Sequence, residues 1–337
     1  MNRYLILLVS LILLVSCAPA QPTSAPPSTP LSPTPATAAS ATPASHPTRN
    51  PTASLAPVGP SPTVEAPAAQ ASATPQPTST PSATPRPTLA PGEWQQLPII
   101  PTPDDRIIEI YQRGLQLGNN PGAFSKIGDC GSTPAWFLGD FDRGPEFYNL
   151  GDYPYLQDVI NAFQGSYGRT SLAARSGFNA SSLFTTLWAD RDYCAVNETP
   201  LSCEYRLQRP VIAFVMLGTN DIWHPTEFEP QMRKIIEYSI DNGVIPILST
   251  KADNTEGNGS INAIIARLAL EYDLPLWNFW LAVQPLPAKG LQEDKAHLTW
   301  GRNYFNDPVA ISKAWPVRNL TALQVLDAVW RKINPQN

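Results

Sequence analysis

Val211-Ile212-Ala213-Phe214-Val215-Met216-Leu217-Gly218 is an unbroken apolar run that stops at Thr219-Asn220-Asp221. The run is too short for a buried helix, is rich in β-branched and aromatic residues, and lacks polar alternation. Those three properties predict a parallel strand buried on both faces. In open α/β sheets the carboxyl ends of such strands open onto the ligand crevice. Asn220, just past the end of the run, is therefore the first candidate functional residue.

Strand and helix signals alternate on both sides of this run. Helical spacing is predicted over residues 103–118, 155–163, 178–188, 229–241, 261–272 and 320–333, and short strands over 123–127, 170–174, 244–248 and 275–277. Alternation of this kind favours a parallel sheet covered on both faces, an α/β fold. Two more strand ends carry distinctive turns. Gly128-Asp129-Cys130-Gly131 sets a carboxylate and a thiol between glycines, and Arg175-Ser176-Gly177 offers a backbone N–H that no side chain obstructs. After the last strand, Asp294-Lys295-Ala296-His297 places a carboxylate three residues before a histidine.

Together these are the parts of an acyl-transfer site. A nucleophile needs a base to take its proton and a third group to orient that base, while preset donors stabilise the oxyanion. Cys130 is the candidate nucleophile, His297 the base and Asp294 its orienter. The backbone N–H groups of Cys130 and Gly177 and the Asn220 amide are the candidate oxyanion hole. Trp136, Trp223 and Trp300 flank these blocks and could stack on sugar rings or pack in the core. His224 is a loop residue beside the crevice.

The four clusters, in this order, resemble the conserved blocks of the SGNH (GDSL-type) hydrolases over about residues 120–300. Gly128-Asp129-Cys130 resembles the nucleophile block and Gly177 the glycine block. Gly218-Thr219-Asn220-Asp221 resembles the asparagine block, and Asp294 to His297 the D-x-x-H block. The resemblance implies a three-layer α/β/α sandwich with a five-stranded parallel sheet, and cleavage of esters, thioesters or acetyl groups on lipids and polysaccharides. It also marks a departure, because the family carries serine where this chain has Cys130. A thiolate is a strong nucleophile, and a helix N-terminus beside His297 would lower its pKa. Ser132 or Thr133 is a conceivable replacement nucleophile, although a shift of two or three residues around a tight turn would aim either away from the hole. The competing readings are a binding module that keeps the crevice without turnover and a cysteine-dependent acyltransferase.

Residues 1–16 join Arg3 to an apolar stretch, the pattern of an export signal too short to span a membrane. The stretch ends at Leu14-Val15-Ser16-Cys17, which resembles a bacterial lipobox and makes Cys17 the expected lipid attachment site. Residues 17–95 follow as a stalk, with 20 of the chain's 38 prolines between 18 and 92 among Ala, Ser and Thr. Such a segment cannot bury enough surface to offset its conformational entropy, so it is expected to be disordered, with hydroxyls open to O-glycosylation. The expected product is an envelope lipoprotein, exported and held at a membrane by Cys17, with residues 96–337 as the folded domain. The expected substrate is an acylated small molecule or polysaccharide.

The remaining signals narrow the field. The chain carries a formal charge of −5, with no basic cluster, which argues against nucleic acid. Cys194 and Cys203 are close enough in sequence for a short-loop disulfide in an oxidising compartment. The three histidines, His46, His224 and His297, are scattered, so no metal site is read and no cofactor is expected.

Overall fold

The computed structural model describes residues 89–335. The expected signal, Cys17, and the stalk up to residue 88 lie outside the described residues. Trp94, inside the expected stalk, is buried. Its ring meets Trp280 edge to face, and its carbonyl accepts from Asn278 Nδ2 at 3.0 Å.

The elements run α1 (Arg106–Gln116), β1 (Asn120–Gly128), β2 (Tyr148–Asn149), α2 (Leu156–Ala162), α3 (Pro200–Gln208), β3 (Pro210–Met216) and α4 (Pro225–Asp241). They continue with β4 (Ile245–Ser249), α5 (Ser260–Glu271), β5 (Leu276–Trp277), α6 (Phe279–Val283), β6 (Asn303–Tyr304) and α7 (Ala314–Ile333). Strands β1-β3-β4-β5 form one parallel sheet in that order, and β2 pairs with β6. Every residue of β3 is buried, so the sheet is covered on both faces at its centre. In α1, Ile107, Ile110, Tyr111 and Gly114 are the buried positions, the i, i+3, i+4, i+7 stripe of an amphipathic helix. Gly118 then takes φ +78°, a backbone conformation natural to glycine, where the helix ends.

Three expectations are corrected. The sheet has four strands and not five, because residues 170–174 give only one bridge, Gly128 to Ala174. Ser171 is the physical reason. Its Oγ accepts from Ala173 N and its carbonyl from Ala174 N, which curls the segment into a turn before a ladder can form. Residues 178–188 form two 3-10 segments, Ala180–Phe184 and Thr186–Trp188, instead of an α-helix. There Asn179 and Ser182 exchange side-chain and backbone bonds as a capping box.

The third correction is α3, in a stretch for which the sequence predicts no helix, only a short-loop disulfide. Thr199 caps the helix, Pro200 fills its first turn, and Cys203, on this helix, is bonded to Cys194. Glu204 masked its apolar face. The residue is fully buried and accepts from Ser125 Oγ at 2.6 Å, Arg169 Nη1 at 2.7 Å and Leu172 N at 2.9 Å.

Candidate active site

The turn after β1 is held from both sides. Gly128 N donates to Ala173 O, and Arg175 N donates back to Gly128 O, each at 3.1 Å. A Cβ on Gly128 would fall 2.2 Å from Ser132 Oγ and 2.5 Å from Met216 O, so the position requires glycine. Asp129 then turns its carboxylate onto Gly131 N at 2.9 Å, and Cys130–Ser132 make one 3-10 turn. Cys130 is half-buried and outside the disulfide. Neither nearby hydroxyl takes its place: Ser132 is fully buried under Gly128, and Thr133 Oγ1 donates to the Cys130 carbonyl at 2.8 Å. The expected helix N-terminus is not there either, because one three-residue turn carries no macrodipole of consequence.

The glycine and asparagine blocks are tied together. Asn220 Nδ2 donates to Phe178 O at 2.9 Å, and Ala180 N donates to Asp221 Oδ1 at 2.8 Å. An amide has two N–H donors, so Asn220 retains a second one beyond this tie. Gly177 takes φ +83° with open space where a side chain would project. Burial raises the Asp221 carboxyl to about 6, against hydrogen bonds from the backbone at Ala180 and Gly218. Asp221 is thus the clamp between two blocks, a role the sequence did not reveal beyond its place at a strand end.

The D-x-x-H segment builds its own support. Gln292 N donates to His297 O at 2.8 Å and Gln292 Nε2 to Leu298 O at 2.7 Å, closing a hairpin. Inside it Asp294 Oδ1 accepts from Ala296 N at 3.0 Å and His297 N at 2.9 Å, while Oδ2 lies 2.5 Å from His297 Nδ1. Partial burial works to raise the Asp294 carboxyl, but these hydrogen bonds outweigh it and hold it at about 2. The carboxylate is therefore ionised at neutral pH. It engages Nδ1, so Nε2 is the ring nitrogen that can act as the base.

Cys130, Gly177, Asn220 and His297 all line one cleft of about 380 Å³ at the carboxyl ends of β1 and β3, and Asp294 stands behind His297. Trp223 sits at the rim, 77% exposed. Trp136 instead stacks on Trp315, 5.5 Å between centroids, and Trp300 is exposed away from the cleft lining. Two cleft residues were missed from sequence. Lys251, just past β4, is buried and donates to Asp253 Oδ1 at 2.6 Å and Glu256 Oε2 at 2.5 Å; applying the strand-end rule to β4 would have found it. Arg318 lies inside α7 and donates through Nη1 to Gly131 O at 2.6 Å. Its sequence signal is weak, because α7 also carries Asp327, Arg331 and Lys332.

No family model and no curated protein matches the chain. Solved structures that do match include two variants of Axe2, an acetylxylan esterase from Geobacillus stearothermophilus, one of them a catalytic mutant. They are 14% identical to this chain, with TM-scores of 0.35 and 0.34, and the alignments cover 63% of this chain and 93% and 94% of theirs. Both are esterases.

Among the described residues, the one group of potential metal ligands within reach of one another is Cys194, Glu198 and Cys203. Its two sulfurs are already bonded to each other. A thiol, an imidazole backed by a carboxylate, and an amide donor can together carry out nucleophilic acyl transfer.

Proposed function

We propose that this protein is an SGNH-like hydrolase that cleaves acyl esters through a thioester on Cys130. What carries the reading is the convergence of Cys130, Asn220 and His297 on one cleft, with Asp294 on the far ring nitrogen of His297. Cys130 gives its proton to His297 Nε2, and its sulfur attacks the acyl carbon. The Asn220 amide and the N–H groups of Cys130 and Gly177 receive the oxyanion. As the ester C–O bond breaks, His297 returns the proton to the departing alkoxide. Water then loses a proton to His297 and attacks the thioester, releasing the acid and the thiolate.

The same reading places the enzyme outside the cytoplasm, tethered through Cys17 with the stalk as spacer, and acting on acylated envelope or extracellular carbohydrate. Trp223 at the rim offers a face on which a sugar ring can stack, with the acyl group reaching inward.

The test is turnover of a chromogenic acetyl ester by the full chain beside Cys130→Ala, Cys130→Ser and His297→Ala. The expected result is activity in the parent and losses of about 10³-fold or more in the two alanine variants, as for residues that act as one unit. No turnover in the parent with gain in Cys130→Ser would defeat the cysteine mechanism and indicate a degenerate serine site. Transfer to an added alcohol in preference to water would make the protein an acyltransferase.

A further inference from the structure

We infer that Arg318 is the positive charge that holds Cys130 as a thiolate, so that this cleft is built for sulfur at position 130. The inference rests on the proposal that Cys130 is the nucleophile and goes beyond it by naming the group that activates the thiol.

Arg318 is 7% exposed, on the stretch of α7 that passes behind the nucleophile turn. Nη1 donates to the carbonyl of Gly131, the residue after Cys130, at 2.6 Å, and Nη2 lies 3.1 Å from Met216 Sδ. The guanidinium carbon is 4.9 Å from the Phe137 ring centroid, 5.1 Å from Trp315, 5.6 Å from Phe279 and 6.0 Å from Trp277. Its Nε is buried without a hydrogen-bond partner. Among the described residues no carboxylate lies within ion-pair distance of it. A buried cation is costly unless an anion stands near, and aromatic faces compensate only in part.

The anionic groups that act on Arg318 are Asp129 and Cys130. Burial lowers the guanidinium to about 10, still cationic at neutral pH, while both of these groups pull it upward. Asp129 is a poor counter-ion: its Oδ1 is engaged with Gly131 N, and burial pushes its carboxyl upward, toward the neutral form. The other titratable groups facing the turn are His297, Asp221 and Asp253. Lys251 also lines the cleft, but its ammonium is already committed to Asp253 and Glu256. Asp129 is the stronger of the two influences and is itself lowered by Arg318, and the sulfur of Cys130 is the other anion that Arg318 favours.

The choice of sulfur follows from magnitudes. A cysteine thiol titrates near 8.5, and an opposite charge at close range moves a pKa by about 1–3 units, enough to ionise it at neutral pH. A serine hydroxyl would stay protonated in the same field and leave the cation uncompensated. On ionisation the S–H bond breaks with its electron pair left on Sγ, and the proton passes to His297 Nε2. That proton is then in place for the leaving alkoxide.

Alkylation of Cys130 by iodoacetamide reads this directly, because it follows the thiolate and needs no turnover. The full chain is labelled across about pH 5 to 10, and the Cys130 peptide is resolved by mass spectrometry. The wild-type midpoint is expected about one unit or more below 8.5, shifting upward by about 1–3 units in Arg318→Met and largely keeping its low value in Arg318→Lys. A wild-type midpoint at or above 8.5 overturns the inference whether or not any variant folds. So does an unchanged midpoint in an Arg318→Met protein that keeps a cooperative thermal melt. Ester turnover with a normal thiol midpoint would overturn this inference and leave the proposed function standing. A depressed midpoint without turnover would do the reverse.

Discussion

Asn220 shows how one side chain joins architecture to chemistry. One amide hydrogen ties it to Phe178 O, which leaves the second for a ligand oxygen in the cleft. Removing a single oxyanion donor costs about 10²–10³ in kcat in acyl-transfer enzymes. Asn220→Ala is therefore expected to lose that much kcat on an acetyl ester with KM little changed. A rise in KM alone would assign the residue to binding instead. Trp223→Ala is expected to raise KM about tenfold on an acetylated oligosaccharide, the equivalent of one stacking contact, and to leave a small chromogenic ester unaffected. Equal effects on both substrates would remove the sugar-stacking role. Cys130, Gly177, Asn220 and His297 were legible because each follows a strand signal or sits in a short polar motif. Arg318 was not, since one of several charges along a helix looks the same whether it reaches solvent or is buried.

Asp221 ties the glycine and asparagine blocks together and makes that tie sensitive to pH. Its folded pKa near 6 lies above the ordinary 3.8, so the folded chain binds more protons than the unfolded chain between those values. The resulting stability is fully present below about 3.8 and is lost as pH rises through about 6, a difference on the order of 2–3 kcal/mol. Urea melts across that window should show the slope in the parent and not in Asp221→Asn, whose Oδ1 can still accept from Ala180 N. A slope that persists would assign the titration to another group. Strands β3, β4 and β5 were readable as apolar stretches that stop at polar turns, whereas β1 carries Ser125 and Lys126. The predicted strand at 170–174 failed because Ser171 bonds its own neighbours, a local competition that hydrophobic pattern does not register. Helix α3 escaped for the converse reason, its buried Glu204 being satisfied by partners remote in sequence.

For the whole chain, the disulfide between Cys194 and Cys203 closes the connection leading from the glycine block to α3. Its loop length corresponds to about 2–3 kcal/mol of chain entropy. The double variant Cys194→Ser/Cys203→Ser should lose about that much in a denaturant melt, and an unchanged midpoint would remove the bond from the stability account. The α/β class was legible because strand and helix signals alternate, whereas the number of strands was set by the local turn at Ser171 on one edge of the sheet. The central claim is that an acyl group passes through the sulfur of Cys130. Its most direct test is rapid quenching of the full chain during turnover of an acetyl ester, followed by mass spectrometry of the Cys130 peptide. The account predicts an acetyl thioester on Cys130 that forms and decays at the turnover rate and is absent in Cys130→Ala. Sustained turnover in Cys130→Ala, or an acetyl group carried on any other residue, would contradict it.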